Sequence, residues 1–207
     1  MQTARGASLN DRDDTGPSGG RPRSRRRRLR LFAGVAVLAY AVDVVTKIIA
    51  VDQLADRPPV TVVPGVLDLA LVRNPGAAFS MATGLTAVLS VIALAVCVVV
   101  VKMAGRLRDP LWALALGLML GGALGNLTDR ILREPAPFRG HVVDFLALPH
   151  WPVFNVADSC VCLAAVLIVV QSFRGIGLDG RTEDSRGRHS THRPPGEERP
   201  GEPGDGS

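Results

Sequence analysis

LTAVLSVIALAVCVVVVKMA, residues 85–104, is the stretch that decides the fold class. A helix against a soluble core repeats a polar face every 3.6 residues, but this one offers only Thr86 and Ser90 before Lys102. Its 20 residues, at about 1.5 Å each, reach about 30 Å, the thickness of a bilayer's hydrocarbon core. With this span drawn from Gly84, three others match it: Leu31 to Val51, Pro110 to Leu127 and Val153 to Phe173. The expectation is an all-α membrane protein with four transmembrane helices.

Charge is segregated along the 207 residues. Residues 1–30 hold nine Arg against three Asp, residues 31–173 nine Lys or Arg against nine acids, and residues 174–207 six Arg against seven acids. The balances are +6, 0 and −1, so the basic excess belongs to the N-terminal tail. No basic folded surface is left to lie along a phosphate backbone, which argues against nucleic acid as a partner. Both tails are poor in large apolar side chains, so neither offsets its ordering entropy by burial. The domain reading is a disordered Arg-rich tail over 1–30, a four-helix membrane domain over 31–173 and a disordered Gly/Pro-rich tail over 174–207.

Positive charge flanking the spans sets their orientation. Seven Arg within residues 21–30, Lys102 with Arg106 and Arg108, and Arg174 with Arg181 fall on one side of a four-span chain. That side is expected to be the cytoplasm and to hold both termini; the loops near 52–83 and 128–152 then face outward. In the first loop, Val60 to Val63, the Pro64-Gly65 turn and Val66 to Val72 read as a hairpin, a small extracytoplasmic β platform. Arg25 to Arg30 followed by Ala39-Tyr40-Ala41 imitates a cleavable leader, but the apolar pattern continues to Val51 and reads as a span. Cys97, Cys160 and Cys162 lie inside spans and read as packing residues, forming neither a disulfide nor a metal set.

Polar groups inside membrane helices are costly and mark a bundle interior or a cavity. Asp43, Thr46 and Lys47 share one face of the first span, at i, i+3 and i+4. The third span ends in Gly121-Gly122-Ala123-Leu124-Gly125-Asn126-Leu127-Thr128-Asp129-Arg130. Val142-Val143-Asp144-Phe145 precedes the fourth, which opens with Phe154-Asn155-Val156-Ala157-Asp158-Ser159. Counted from the cytoplasmic end, Asp43 lies about 18 Å up and Lys47 and Asn126 about 24 Å, while Asp158 lies about 8 Å below the outer surface. Four segments therefore converge on one outer layer. Taken singly, most have a structural reading: Asp43 with Lys47 as an ion pair, Asn126 and Asn155 as interhelical hydrogen bonding, Asp129 with Arg130 as an exposed helix-end pair. The glycines suit close helix packing, and Asp144 suits a solvated loop. Asp158, an unpaired carboxylate in a membrane helix, is the hardest to explain that way.

Asp144 and Asp158 are the carboxylate pair of this layer with no adjacent Lys or Arg in sequence. Brought together by folding, repulsion and desolvation leave one protonated and one ionised near neutral pH. Such a dyad activates water and protonates a carbonyl or leaving amine, the acid/base chemistry of amide hydrolysis. It titrates as a unit, so the proton belongs to neither member alone. No Ser-His or Cys-His arrangement competes, and the layer has no His/Cys ligand cluster, so neither cofactor nor metal is expected.

With these residues in view, the chain resembles the lipoprotein signal peptidases, or signal peptidase II, bacterial membrane aspartyl peptidases that remove the signal peptide from lipidated prolipoproteins. The resemblance covers roughly residues 31–173 and rests on five motifs in order. They are Asp43-x-x-Thr46-Lys47, Asn74-x-Gly76-Ala77-Ala78-Phe79, Gly125-Asn126-Leu127-x-Asp129-Arg130, Val142-Val143-Asp144-Phe145 and Phe154-Asn155-Val156-Ala157-Asp158-Ser159. The resemblance implies that Asp144 and Asp158 are the catalytic dyad. It implies that Asn74, Asn126, Asp129, Arg130 and Asn155 line the substrate site and orient peptide backbone or dyad, with Asp43 and Lys47 supporting them. It further implies cleavage just before a diacylglyceryl-modified cysteine, at the outer face of the bacterial cytoplasmic membrane, by a monomer whose partners are lipidated prolipoproteins and membrane lipids. One stretch departs from the family pattern: the 13 residues between Arg130 and Asp144, including Arg133-Glu134-Pro135-Ala136-Pro137, exceed its compact link and read as a flap over the cleft.

A small transporter or proton relay through Asp43, Lys47 and Asp158 is the competing class. Relays need polar groups reaching the midplane and inner half, whereas this cluster of unusual polar groups falls in the outer half. A lipid-binding scaffold using Arg21 to Arg30 leaves the outer-layer carboxylates unexplained.

Overall fold

The computed structural model describes residues 21–76 and 85–182. In chain order the elements are helix α1 (Arg21–Leu54), strands β1 (Val60–Val63) and β2 (Leu67–Asn74), helices α2 (Leu85–Ala104) and α3 (Pro110–Leu132), strand β3 (Val142–Ala147) and helix α4 (Val156–Phe173). All four helices are long and apolar enough to cross a membrane. The fold is thus the expected membrane bundle with a small antiparallel sheet at one end.

The bundle is organised around α3, which packs against each of the other three helices. Along α1 the buried residues are Phe32, Ala36, Ala39, Asp43, Lys47, Ala50 and Leu54, a seam advancing by three or four residues, while Val37, Leu38, Val45, Ile48 and Ile49 are exposed. In lipid the outward face can be wholly apolar, and helices associate through small residues that let backbones approach. A Cβ on Gly121 would lie 2.7 Å from both the Ala36 carbonyl oxygen and the Ala39 Cβ, and one on Gly122 would lie 2.6 Å from the Ala157 carbonyl oxygen. These two consecutive positions draw α1 and α4 onto adjacent faces of α3 and bring the polar ends of all three helices together.

At the arginine-rich end, order extends beyond the expected boundaries. Arg21 to Arg30, read from sequence as part of a disordered tail, form the first turns of α1. Arginine is a good helix former, Pro22 is tolerated in a first turn, and no Gly or Pro follows before Gly34. The Arg28 Nε donates to the Arg108 carbonyl at 3.2 Å. Residues 174–182, also expected to be tail, fold into turns closed by an Ile176–Thr182 bridge. The Trp112 indole donates to the Ile176 carbonyl at 2.8 Å, and the Arg108 amide donates to the Leu178 carbonyl at 2.9 Å. The remaining tail residues, 1–20 and 183–207, lie outside the described residues, as do Ala77, Ala78 and Phe79.

The hairpin expected around Pro64-Gly65 forms, and a third strand joins it in the order β1-β2-β3. That strand, β3, occupies a stretch read from sequence as loop. Val72 pairs with Asp144, Arg73 with Val143 and Asn74 with Val142. Val143 and Phe145 pack with Leu69 and Leu71 against Ala50 and Leu54 at the end of α1. Strand alternation then turns Asp144 to the other face, toward the ends of α3 and α4.

Candidate active site

The start of α4 is built by a reciprocal cap. The Asn155 side-chain oxygen accepts from the Asp158 amide at 2.9 Å, and the Asp158 Oδ2 accepts from the Asn155 amide at 3.3 Å. Asp158 therefore sits in the first turn of α4. The count from sequence puts it about 8 Å deep because it begins the helix at Val153; extended backbone at Asn155 delays the start to Val156.

Three asparagines hold the two carboxylates. The Asn126 Nδ2 donates to the Asp158 Oδ1 at 2.7 Å. The Asn74 Nδ2 donates to the Asp144 Oδ2 at 2.7 Å, and the Asn155 Nδ2 donates to the Asp144 Oδ1 at 2.6 Å. The Asn155 amide also reaches the Asn126 Oδ1 at 3.2 Å, so one amide pair links the surroundings of both carboxylates. Among the described residues no Lys or Arg lies within ion-pair distance of Asp144 or Asp158. Asp144 and Asn155 are buried, whereas Asp158, Asn126, Asn74 and Arg130 keep partial exposure and mark the open side.

Beneath this layer, Lys47 is 1% exposed and carries the only cation fully inside the described bundle. Its ammonium pairs with Asp43 at 2.8 Å and Asp129 at 3.0 Å, and donates to the Asn126 Oδ1 at 2.8 Å. Asp43 accepts from the Ala157 amide at 2.8 Å, tying α1 to α4, and Asp129 accepts from the Val143 amide at 3.2 Å, tying α3 to β3. The ion pair read within the first span is present. The exposed Asp129–Arg130 pair is not: Asp129 is buried and pairs with Lys47 and Arg133. Arg130 donates to the Asn126 carbonyl at 3.5 Å, while its buried Nε has no hydrogen-bond partner among the described residues. Thr46 stays out of the cluster, its hydroxyl bonded to the Val42 and Asp43 carbonyls of its own helix.

The stretch expected to form a flap is fastened instead. The Gly140 amide donates to the Arg130 carbonyl and the His141 amide to the Glu134 carbonyl, each at 3.0 Å. At its tip the Phe138 carbonyl accepts from the Ser90 hydroxyl of α2 at 2.7 Å. The Thr86 hydroxyl of the same helix donates to the Pro75 carbonyl at 2.5 Å. In sequence both hydroxyls read only as breaks in an apolar span; their signal is an i,i+4 spacing on an otherwise apolar face.

The Asp144 carboxyl is pushed up to about 6, chiefly by burial and further by the Asp158 charge; the Asn74 and Asn155 amides and the Lys47 charge oppose the rise. Between about pH 4 and about pH 6 the folded state therefore keeps a proton that the unfolded chain has lost, so this group's contribution to stability falls as pH rises through that window. Relative to Asp144→Asn, which cannot ionise, wild-type protein is expected to lose about 2 kcal/mol between pH 4 and 6.5. Denaturation of both proteins in one detergent across that range checks this; a constant difference contradicts it.

A profile of the signal peptidase II family matches residues 35–174 of this chain. The chain is 50% identical over 173 residues to the lipoprotein signal peptidase of Rhodococcus jostii strain RHA1, covering 82% of this chain and 87% of the relative. It is 52% identical over 153 residues to the lipoprotein signal peptidase of Mycobacterium tuberculosis strain H37Rv, covering 74% and 76%. Among solved structures it superposes on a bacterial membrane enzyme determined by the in meso method at 1.9 Å resolution, with a TM-score of 0.59, 29% identity, and coverage of 66% of this chain and 88% of that one. A profile match across the whole bundle, and half-identity to named members over most of both chains, show that the chain belongs to the signal peptidase II family, the aspartic lipoprotein signal peptidases that remove signal peptides from prolipoproteins.

Proposed function

We propose that Asp144 and Asp158 are the acid/base dyad of this peptidase and that it cuts just before a diacylglyceryl-modified cysteine at the outer face of the cytoplasmic membrane. The observation that carries the reading is a pair of carboxylates held by asparagine amides alone, with no cation paired to either among the described residues. A lysine against one member would lock it ionised; neutral amides let one proton be shared. The ionised carboxylate takes a proton from water as the oxygen attacks the scissile carbonyl carbon, and the protonated carboxyl donates to the carbonyl oxygen. The resulting gem-diol collapses as a proton passes to the leaving nitrogen and the C–N bond breaks. Neither a covalent intermediate nor an added group is needed.

Arg130 suits a substrate carbonyl, because its buried Nε has no hydrogen-bond partner among the described residues. Asn74 and Asn126, partly exposed beside the dyad, suit the peptide backbone; Asn155, Asp129, Asp43 and Lys47 hold the frame. Arg26, Arg27, Arg28, Arg30, Lys102, Arg106, Arg108, Arg174 and Arg181 belong to the bundle end opposite the sheet, which supports a cytoplasmic arginine end, cytoplasmic termini and an outward-facing dyad. At that level an acyl anchor fixes the scissile bond at the depth of the first turn of α4. We read the protein as a monomer surrounded by membrane lipid.

The purified protein in detergent is expected to cut a synthetic precursor peptide carrying diacylglyceryl-cysteine at least about 100-fold faster than the same peptide with free cysteine, since positioning by a remote anchor is worth factors of this order. Equal rates on the two peptides would remove the lipid from the account, and no cleavage of either would remove the function.

A further inference from the structure

Thr86 and Ser90 interrupt the apolar face of α2 and are buried, at 3% and 0% exposure. No step of the reaction uses either hydroxyl. The Thr86 hydroxyl reaches across to the Pro75 carbonyl at 2.5 Å. Pro75 follows Asn74, whose Nδ2 holds Asp144 and whose Oδ1 accepts from the Gly76 amide at 2.8 Å, closing a tight turn around the proline. Gly76 lies against the Leu89 side chain of α2 with φ +116, a backbone conformation that residues other than glycine rarely adopt. Proline stiffens such a turn by fixing φ. A stiff turn anchored at one carbonyl transmits that anchor to the side chain of the preceding residue.

We propose that Thr86 is a positioning residue for the peptidase reaction: its hydroxyl anchors the Asn74 turn and thereby the amide that orients Asp144. The inference rests on Asp144 being a dyad member. Asp144 also feels Asp158 from α4, Lys47 from α1 and Arg130 from α3, and is bonded to Asn155. Thr86 bonds to none of these among the described residues, so its influence runs through Asn74. The Asn74 bond favours the ionised form of Asp144, so loosening it raises the pH at which that carboxyl titrates.

The test is a cycle of Thr86→Val, Asn74→Ala and the double variant, with Thr86→Ser alongside. Thr86→Val is expected to lower kcat about 10- to 100-fold, with KM changed less than about twofold, and to move the Asp144 inflection of kcat/KM to higher pH. Thr86→Ser restores both. In the Asn74→Ala background Thr86→Val adds less than about twofold, as it must if the two act in series. Unchanged kcat and pH profile in Thr86→Val overturn the proposal. So does a Thr86→Ser variant as impaired as Thr86→Val, or full multiplication of effects in the double variant. Should Thr86→Val yield no folded protein, Thr86→Ala takes its place in the cycle with the same expectations. A normal Thr86→Val beside an inactive Asp144→Asn removes this inference alone; an active Asp144→Asn removes the dyad as well.

Discussion

Asp144→Asn and Asp158→Asn are each expected to lower turnover on the order of 10⁴-fold, the upper range for loss of a positioned acid or base, while leaving the protein folded. Asparagine keeps the size and one acceptor oxygen of aspartate. At position 158 that oxygen can still accept from the Asn155 amide and preserve the cap of α4. At position 144 the new amide must turn one donor toward Asn74 or Asn155, a local misfit in a site that keeps its volume. What disappears is the shared proton: with one neutral amide, the pair can no longer both deprotonate water and protonate the carbonyl. Turnover of the lipidated peptide, measured beside size-exclusion and thermal profiles in the same detergent, separates loss of chemistry from loss of fold. Wild-type turnover in either variant would sink the dyad.

The largest effect on stability is expected for Lys47→Met. Methionine roughly matches the length of the lysine stem but leaves Asp43 and Asp129 without the ammonium that lies 2.8 and 3.0 Å from them. Both carboxylates are buried; Asp129 keeps Arg133, but Asp43 has no other cation among the described residues, and removing one partner of a buried ion pair costs about 3–5 kcal/mol because the other charge is stranded. The Asn126 oxygen loses the same ammonium and keeps the Asn155 amide at 3.2 Å, so the amide facing Asp158 is held less firmly. Denaturant midpoints in detergent check the loss. Adding Asp43→Asn is expected to recover part of it, since neutralising one stranded carboxylate relieves the cause. A Lys47→Met variant within about 1 kcal/mol of wild type would mean that the cluster does not hold the bundle together.

The bundle was legible because hydrocarbon imposes length and apolarity on each span, and residues 85–104 leave no other reading. The site layer was legible for the complementary reason: Asp43, Lys47, Asn126 and Asp158 are expensive in that setting and stand out singly. Partners were harder to read. Asp129 and Arg130 are adjacent in sequence, yet helix geometry turns Asp129 inward to Lys47 and leaves Arg130 partly exposed, within electrostatic reach of Asp144 and Asp158. Strand β3 was missed because its pairing with β2 joins residues some seventy positions apart, a contact that no local periodicity encodes. The Asn155-x-x-Asp158 spacing did carry a capping signal, and reading it would have begun α4 at Val156. Arg21 to Arg30 read as tail for want of large apolar side chains, whereas continuation from an apolar helix carries such a run into regular structure.

The most direct test is the mass of the product released from a diacylglyceryl-modified precursor peptide by wild-type protein and by Asp158→Asn, each purified in the same detergent. The account predicts one lipopeptide beginning at the modified cysteine from wild type and none from the variant. Cleavage at another bond, or the same product from both proteins, would contradict it.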